Sequence, residues 1–452
     1  MKKRTFLKLS SVMMAGSALS PLVDWAQGEK ITNWAGNLTY SSSLLHKAAS
    51  IEEIRGWVRN QPHFKVLGTR HCFNDIADSK DEFLSLGALN KVVALDKANH
   101  TVTVEAGMRY GELAVFLNDN GYALHNLASL PHISVAGGVA TATHGSGVHN
   151  GNLSSAVMGM EFITAAGETV NLSRHRDGDR FLAAVVHLGG IGVVTKITLS
   201  IQPSYQVRQY VYENLPMAQL EHHFDEIMAA GYSVSLFTDW RNRNINEVWI
   251  KSRAGEDGHF ATRPEFFSAH SATKDLHPIR ANSAENCTPQ MGVPGPWHER
   301  LPHFKMGFTP SNGKELQSEF FVPREQSYAA IMAVEKLHES ISRHLFITEV
   351  RSIAADDFWM SPCGHQHSTA IHFTWKPEWE AVHRLLPQIE QALAPFHAKP
   401  HWGKLFTMPH GRLAELYPRM KDFQSLLRHY DPGGKFRNAF LNRNIFGIGE
   451  RG

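Results

Sequence analysis

Residues 130–152 read LPHISVAGGVATATHGSGVHNGN, and no other stretch of the 452-residue chain says as much about the fold. The stretch contains five glycines and four small hydroxyl side chains, but no Lys, Arg, Asp or Glu. Glycines and small hydroxyls let backbone N–H groups approach a pyrophosphate closely. The pattern therefore predicts a buried cofactor-binding loop, and the alternative is a surface loop without a ligand.

Several other kinds of site fail on spacing. After Gly145 and Gly147 the next glycine is Gly151, so the dinucleotide pattern G-x-G-x-x-G fails by one residue, and no Walker A motif or G-x-S-x-G is present. His298, Glu299 and His303 have the wrong spacing for H-E-x-x-H. These failures disfavour a nicotinamide or ATP cofactor and a serine hydrolase, and we expect no catalytic metal.

Composition indicates a globular protein with its own core. Hydrophobic residues make up 42% and charged residues 19%, and 45 Lys and Arg stand against 43 Asp and Glu, for a net charge of +2. That balance leaves no basic excess for binding nucleic acid. The three cysteines, Cys72, Cys287 and Cys363, cannot form a disulfide framework.

The N-terminus predicts a signal peptide over residues 1–27. A basic start through Lys8 precedes an apolar stretch at 10–22, which is shorter than the roughly 20 residues needed to span a bilayer. The start resembles a twin-arginine export signal with Lys3 in place of the first arginine. An ordinary secretory signal and a disordered tail are the alternatives. We expect an exported, periplasmic protein with no membrane span.

Hydrophobic periodicity predicts hairpins and short helices up to about residue 205, followed by longer elements. The predicted strands are 64–68, 92–95, 101–105, 158–164, 169–172, 193–201, 319–322, 345–353 and 370–375. The predicted helices are 109–120, 181–187, 213–230, 327–339 and 378–393. Residues 252–315 predict long loops, and the tail 431–444 is rich in turn residues.

Four further clusters carry reactive side chains. His71 follows a predicted strand, His372 lies between apolar residues, and Lys404 follows Trp402 and Gly403. Glu349 and Arg351 stand two apart on a predicted strand and so share a face, where together they can bind a polyol or a carboxylate. Core histidines, a surface ion pair and a solvated lysine are the alternatives.

In this order and spacing, the clusters resemble the flavin-dependent oxidoreductases of the vanillyl-alcohol oxidase (PCMH-type FAD-binding) superfamily. Within it the chain is most similar to the alditol oxidases, which include xylitol and sorbitol oxidases, and is related to the aldonolactone oxidases. The resemblance covers nearly all of 31–445. Its blocks are TNWAGN at 32–37, GTRHCFNDIA at 68–77, ASLPHISVAG at 128–137, THGSG at 143–147, LGGIGVV at 188–194, SLFTDW at 235–240, GVPGPWHERLPHF at 292–304, HFTW at 372–375, HWGK at 401–404 and KFRN at 435–438.

The resemblance implies an α+β fold with a PCMH-type FAD-binding domain at 30–206. A cap or substrate domain of the aldonolactone-oxidase kind, built on an antiparallel sheet, would follow at 207–399, and 400–452 would return to the FAD domain. It also implies FAD bound covalently through His71. The implied cofactor-binding residues are Gly68, Thr69, Arg70, His71, Cys72, Ser129, Ser134, Gly137, Thr141, Thr143, His144, Gly147, Val193 and Val194. Cys72 departs from the family, which commonly has serine there.

The implied reaction oxidises a terminal primary alcohol of xylitol or sorbitol to the aldehyde. A hydride passes to flavin N5, and O₂ reoxidises the flavin to give H₂O₂. His372 is the candidate base, with Lys404 as competitor, and Ser129, Glu349 and Arg351 would bind substrate hydroxyls, while Lys404 or Arg351 stabilises charge on the flavin. The alternatives are an L-gulono- or D-arabinono-1,4-lactone oxidase or dehydrogenase and a flavin-binding protein without turnover. We expect a monomer.

Overall fold

The computed structural model describes residues 30–255, 260–305 and 315–449, so the predicted signal peptide lies outside it. Ten strands occupy the first part of the chain. They are β1 Leu45–Lys47, β2 Lys65–Leu67, β3 Phe83–Ser85, β4 Val92–Asp96, β5 Thr101–Glu105, β6 Tyr122–Ala123, β7 Val157–Ile163, β8 Thr169–Ser173, β9 Val193–Ser200 and β10 Gln202–Pro203. A small parallel sheet has the order β1-β3-β2, and an antiparallel sheet has the order β4-β5-β9-β7-β8.

Both predicted hairpins, β4–β5 and β7–β8, are confirmed by their antiparallel registers. Four helices accompany these strands: α1 Ile51–Asn60, α2 Tyr110–Asp119, α3 Val135–Ala140 and α4 Arg174–Val185. Two of them correct the sequence prediction. α4 begins seven residues before the predicted start with a polar turn, which a break at Gly178 (φ 46°, ψ −125°) separates from the rest of the helix. α3 lies inside the stretch predicted to be a loop.

The second part of the chain forms one large sheet. Its strands are β11 Gln206–Pro216, β12 Ser233–Thr238, β13 Asn244–Arg253, β14 Glu265–Phe266, β15 Ala269–Ser271, β16 Gly295–Pro296, β17 Leu316–Pro323, β18 Leu345–Ile353, β19 Ser368–Trp375 and β20 Lys399–Pro400. They pair in the order β14-β15-β11-β13-β12-β18-β19-β17-β20, with β16 against β11. All of these pairs are antiparallel.

Helices pack on one face of this sheet and leave the other face for the site. The helices of this part are α5 Leu220–Met228, α6 Ser327–Glu335, α7 His338–His344 and α8 Trp379–Leu393. Side chains alternate between the two faces of a strand. In the centre of the sheet, Phe320, Val350 and Phe373 belong to the main hydrophobic core, whereas their neighbours Glu319, Glu349 and His372 line a cavity on the opposite face.

The structure corrects the sequence prediction at three places in this part. The predicted helix 213–230 begins only at Leu220, because β11 runs on to Pro216 and a 3₁₀ turn intervenes. The predicted helix 327–339 is two helices, α6 and α7. The predicted loops at 252–315 contain three short strands, β14 to β16. These strands pair with β11 or with each other, and no local sequence pattern indicates that pairing.

The C-terminal residues return to the N-terminal part. They form α9 His410–Leu416, α10 Met420–Tyr430 and α11 Ala439–Asn444. The side chain of Asn438 caps α11 and donates to the backbone carbonyls of Asp75, Ile76 and Asp78 at 2.9–3.1 Å. The α+β class is confirmed, and the domain boundaries stay a prediction. Within the described residues, no helix combines the length and the apolar character that crossing a membrane requires.

Candidate active site

A cavity of about 700 Å³ lies between the N-terminal part and the central strands of the large sheet. It brings together most of the side chains that the sequence singled out. The predicted site residues that line it are Gly68, Thr69, Arg70, His71, Cys72, Ser129, Ser134, Gly137, Thr141, Thr143, His144, Glu349, Arg351, His372 and Lys404. Residues from three distant parts of the chain therefore share one cavity.

One wall of the cavity is made of closely approaching backbone. A Cβ atom at Gly68 or Gly137 would lie 2.9 or 2.8 Å from Oγ of Ser134, too close for any other residue without movement. The two segments are joined where the Ser134 amide donates to Oγ1 of Thr69 at 3.2 Å. This wall has the bare backbone and small hydroxyls that a pyrophosphate requires. It therefore fits a dinucleotide cofactor such as FAD.

His71 is half-buried in this wall, with its Nδ1 atom buried beside aromatic rings. Its ring lies 4.4 Å from Trp34 and 5.0 Å from His132, measured between centroids, and no described residue hydrogen-bonds to its Nδ1. Burial, with help from His132 and Lys404, holds the pKa of His71 well below its usual value. The imidazole is therefore neutral, with an unsatisfied nitrogen available for bonding.

Cys72, next to His71, is an unreactive thiol. Its sulfur lies 3.5 Å from the hydroxyl of Tyr40, and burial raises its pKa to about 11. A thiol with so high a pKa is almost entirely protonated at neutral pH, and the thiolate is the nucleophilic form. The departure from serine at this position thus adds no competing nucleophile beside His71.

Three titratable residues form a row across the opposite wall. In the registers of β17, β18 and β19, Glu319 and Glu349 lie on either side of His372. Arg351 lies two residues beyond Glu349 on the same face, as the sequence predicted for this pair. The strands form because they are rich in β-branched and aromatic residues. Their face away from the cavity packs into the hydrophobic core, and this packing fixes the register.

Glu319 is the central anion of the wall. Its Oε1 accepts from Arg351 at 2.6 Å and its Oε2 accepts from Nζ of Lys404 at 2.7 Å, while Nε2 of His144 lies 3.3 Å from Oε1. Burial raises the pKa of Glu319, but the charges of Lys404, His144 and Arg351 outweigh burial and bring that pKa well below its usual range. Glu319 is therefore ionised, and both cations are paired.

Lys404 reaches this anion from a segment tied to both walls. The amide of His401 donates to the carbonyl of Glu319, and the side-chain amide of Asn74 donates to the carbonyls of Trp402 and Lys404. Burial lowers the pKa of Lys404, while Glu319 opposes the shift. The ion pair favours the ammonium form, so Lys404 acts as a positive charge in the cavity.

His372 has a defined tautomer. The side-chain nitrogen of Gln317 donates to Glu315 at 2.6 Å, which leaves its oxygen to face Nε2 of His372 at 3.1 Å. Nε2 must then carry the proton, and Nδ1 is a bare nitrogen without a partner among the described residues. Burial, then Lys404, brings the pKa of His372 well below its usual value. The ring is a neutral proton acceptor.

Three residues predicted to bind the cofactor do not line the described cavity. Val193 and Val194 are buried in β9, where they pair with β7. Gly147 has φ near +138° and donates its amide to the carbonyl of Ser352, so it joins the glycine-rich stretch to the end of β18. Its part is to connect the two walls.

The sequence reasoning missed Gln317, Glu319 and His303 as site residues. All three line the cavity, and His303 lies 2.7 Å from Oε1 of Glu349. Gln317 and Glu319 stand two apart on one strand and so share a face, the same signal that pointed to Glu349 and Arg351. In the sequence, His303 occurs in a pattern that fails as a metal site and within the stretch 292–304 that resembles the alditol oxidases.

Among the described residues, one cluster of side chains has the spacing of metal ligands. Donor atoms of His144, Glu319 and His401 all lie within 4.8 Å of one another. The carboxylate of Glu319 is already paired with Arg351 and Lys404, and two positive charges this close disfavour a third. The arrangement is better suited to a developing negative charge than to a metal ion.

The chain has relatives among known proteins. Residues 44–173 match the FAD binding domain family, and residues 308–444 match the family described as D-arabinono-1,4-lactone oxidase. The chain is 45% identical over 415 residues to the alditol oxidase of Streptomyces sp. strain IKD472, covering 91% of this chain and 98% of that one. The chain belongs to the alditol oxidase family.

The chain is also similar to more distant proteins. The L-gulonolactone oxidase of Scyliorhinus torazame is 24% identical over 458 residues, covering 93% of this chain and 99% of that one. The crystal structure of cholesterol oxidase from B. sterolicum has a TM-score of 0.73 at 14% identity, covering 94% of this chain and 99% of that one. The latter likeness concerns the fold alone; together with the FAD binding domain match at 44–173, it confirms the predicted PCMH-type fold of this alditol oxidase family member.

Proposed function

We propose that the protein is an FAD-dependent alditol oxidase. It oxidises a terminal primary alcohol of a linear polyol, such as xylitol or sorbitol, to the aldehyde, and O₂ then takes up the electrons as H₂O₂. The observation that carries the proposal is the neutral His372, with its bare Nδ1, in one cavity with Glu349, Arg351 and Lys404. Membership of the alditol oxidase family supports the choice of polyol.

Bound FAD supplies the hydride acceptor. His372 accepts the hydroxyl proton at Nδ1, because Gln317 holds the only ring proton on Nε2. The ammonium of Lys404 and the guanidinium of Arg351 stabilise the negative charge that develops as the proton and the hydride leave. Glu319 keeps both cations in place and does not itself exchange a proton.

Selectivity for a polyol comes from the remaining polar groups. Ser129 offers a hydroxyl, Glu349 a carboxylate and Arg351 a guanidinium along the same cavity. A site built to bind several hydroxyls is penalised when a substrate lacks them, because buried polar groups then stay unpaired. Simple alcohols should therefore be poor substrates.

We propose that FAD is attached covalently through His71. The neutral imidazole and the unpartnered Nδ1 support this attachment, as does the bare backbone of Gly68 and Gly137 nearby. A neutral ring nitrogen has the lone pair that bond formation with the flavin methyl carbon requires. The raised pKa of Cys72 removes the neighbouring thiolate as a rival.

Oxygen uptake with defined substrates tests the proposed activity. We expect turnover with xylitol and sorbitol, an aldose as product and H₂O₂ in equal amount. The alternative, an aldonolactone oxidase or dehydrogenase, is favoured by the match of residues 308–444. It predicts turnover with L-gulono-1,4-lactone and none with polyols. Rapid reoxidation of the reduced protein by air separates an oxidase from a dehydrogenase.

We also propose that the protein is exported to the periplasm as a monomer. The basic and then apolar residues at 1–27 support export. Cell fractionation tests this proposal: we expect the shortened chain in the periplasmic fraction, and full-length chain in the cytoplasm would contradict it. Sedimentation of the purified protein tests the monomer.

A further inference from the structure

Behind Glu349 lie two buried residues that the proposed mechanism does not use. Lys251, on β13, donates from Nζ to the backbone carbonyls of Leu301 and Pro302, the latter at 3.1 Å. The same Nζ lies 3.1 Å from Nδ1 of His303, and Nε2 of His303 lies 2.7 Å from Oε1 of Glu349. Lys251 is 1% exposed and is not among the residues that line the described cavity.

Both ends of this chain of contacts require the same tautomer of His303. Burial lowers the pKa of Lys251 to about 7, while Glu349 opposes the shift. In the ammonium form Nζ donates to the carbonyls of Leu301 and Pro302 and to Nδ1 of His303, which must then accept. An ionised carboxylate only accepts, so Nε2 must donate to Glu349. Arg351 and His303 outweigh burial and hold the pKa of Glu349 below its usual range, which keeps it ionised. The imidazole is thus neutral, with its proton on Nε2.

We propose that Lys251 and His303 are positioning residues that orient Glu349 for polyol binding. Lys251 fixes the tautomer of His303, and His303 holds Oε1 of Glu349. The second oxygen, Oε2, lies 3.7 Å from Nε of Arg351 and is left to accept a substrate hydroxyl. The inference rests on the proposed polyol oxidation and names what sets its substrate affinity.

The pair also ties the substrate side of the cavity to the sheet. Lys251 holds the backbone at 301–303, and Oγ1 of Thr288 donates to the carbonyl of Pro302 at 2.8 Å. Phe237 and Trp249 pack their rings 5.5 and 5.3 Å from that of His303. His303 is therefore held in position by packing, and its hydrogen bonds select which nitrogen faces Glu349.

Removing Lys251 should make substrate affinity depend on pH. The charged or titratable groups that act on the pair are Glu349 and Arg351 from β18 and Cys287 from the segment between β15 and β16. Without Lys251, the neutral ring of His303 can carry its proton on Nδ1 instead, which leaves a bare Nε2 facing the carboxylate that repels it. Protonation at lower pH restores a donor on both nitrogens. Loss of the lysine charge also raises the pKa of His303, which burial and Lys251 hold at about 4.

The test uses holoenzyme variants and anaerobic stopped-flow reduction, whose dependence on xylitol concentration yields both Kd and the limiting rate. Lys251→Met and His303→Leu should raise Kd by about tenfold or more, the range for one lost hydrogen-bonded contact. Their limiting rates should change little, because His372 and Lys404 are intact. His303→Gln, whose amide both accepts and donates, should bind more tightly than His303→Leu. Lys399→Met removes a half-buried lysine from outside the cavity lining and serves as the control.

The pH series separates positioning from mere structural support. We expect the Kd of Lys251→Met to approach that of the wild type as pH falls, and no such recovery in His303→Leu. An unchanged Kd in Lys251→Met would overturn the inference. So would a loss of affinity that does not depend on pH, together with a Kd in His303→Gln no lower than that in His303→Leu. If Lys251→Met does not fold, the two His303 variants decide.

Failure of the proposed function would look different. If the wild type is reduced by xylitol but the variants bind it normally, only the positioning inference falls. If neither xylitol nor sorbitol reduces the wild type, the polyol proposal falls. The same variants are then compared with L-gulono-1,4-lactone, and an unchanged Kd for the lactone would overturn the positioning inference as well.

Discussion

Glu319 and Lys404 form a buried ion pair, with Oε2 of the carboxylate 2.7 Å from Nζ. The pair joins β17 of the large sheet to the segment at 401–404, which also hydrogen-bonds to Phe73 and Asn74, just after His71. The pair bears on a question that the sequence left open, which of Lys404 and His372 accepts the substrate proton. A lysine paired with an ionised carboxylate favours the ammonium form, which is why we propose the neutral His372 as the base.

Replacing Glu319 by Gln should move the alkaline limb of the rate profile to lower pH. The charge of Lys404 is needed for the reaction and is lost as pH rises through its pKa. Glu319 raises that pKa, so its removal lowers it. We expect the reduction rate at neutral pH to fall about 10²-fold, as for loss of a charge stabiliser.

The matched control is Glu325→Gln, which removes a carboxylate from the 3₁₀ turn after β17, outside the cavity lining. It should leave the rate and the pH profile unchanged. An alkaline limb that stays in place in Glu319→Gln would show that Lys404 does not depend on this carboxylate.

Replacing His372 by Ala should slow flavin reduction by about 10²-fold or more, the lower range for loss of a general base. Activity requires the neutral ring and is lost as pH falls through the pKa of His372. Burial and Lys404 lower that pKa, so the acid limb of the wild type should lie below about pH 6.5, the ordinary value. A wild-type rate in His372→Ala across this range would exclude His372 as the base.

Replacing His71 by Ala should abolish the covalent flavin adduct. Wild-type protein precipitated with acid should stay yellow and carry the mass of one flavin, whereas the variant should release its FAD. Mass spectrometry of the intact chain makes the comparison. An adduct that survives in His71→Ala would assign the linkage to another residue, and free FAD in the wild type would remove the linkage while leaving the fold unaffected.

Replacing Asn438 by Ala should destabilise the fold without touching the site. Its side chain makes three hydrogen bonds to carbonyls at 75–78 and caps α11, thereby fastening the C-terminal residues to the N-terminal part. We expect the free energy of unfolding to fall by about 1–3 kcal/mol, the range for a lost cap and unsatisfied buried groups. Asn171→Ala, on the exposed face of β8, should change the free energy of unfolding little.

Local sequence signals predicted those parts of the fold and site that are built from neighbouring residues. Glu349 and Arg351 share a face because they stand two apart on a strand, and hairpins such as β4–β5 form across short turns. The glycine-rich stretch was identified by what it lacks, namely charged side chains. Such signals need no knowledge of distant contacts.

The parts of the fold and site that the sequence did not predict depend on contacts between residues far apart in the chain. Glu319 becomes a site residue only because β17 pairs with β19 and the segment at 401–404 returns to it. The last four residues of β11, 213–216, are predicted to begin a helix. They form a strand instead, because pairing with β13 overrides their local propensity. His303 acquires a role only from Lys251 and Glu349, which lie 52 and 46 positions away.

The most direct measurement of the central claim is anaerobic bleaching of the bound flavin by xylitol, sorbitol and L-gulono-1,4-lactone, side by side. A polyol oxidase should be bleached rapidly by xylitol or sorbitol and slowly, if at all, by the lactone. Rapid bleaching by the lactone with none by either polyol would contradict the account and make the protein an aldonolactone oxidase or dehydrogenase.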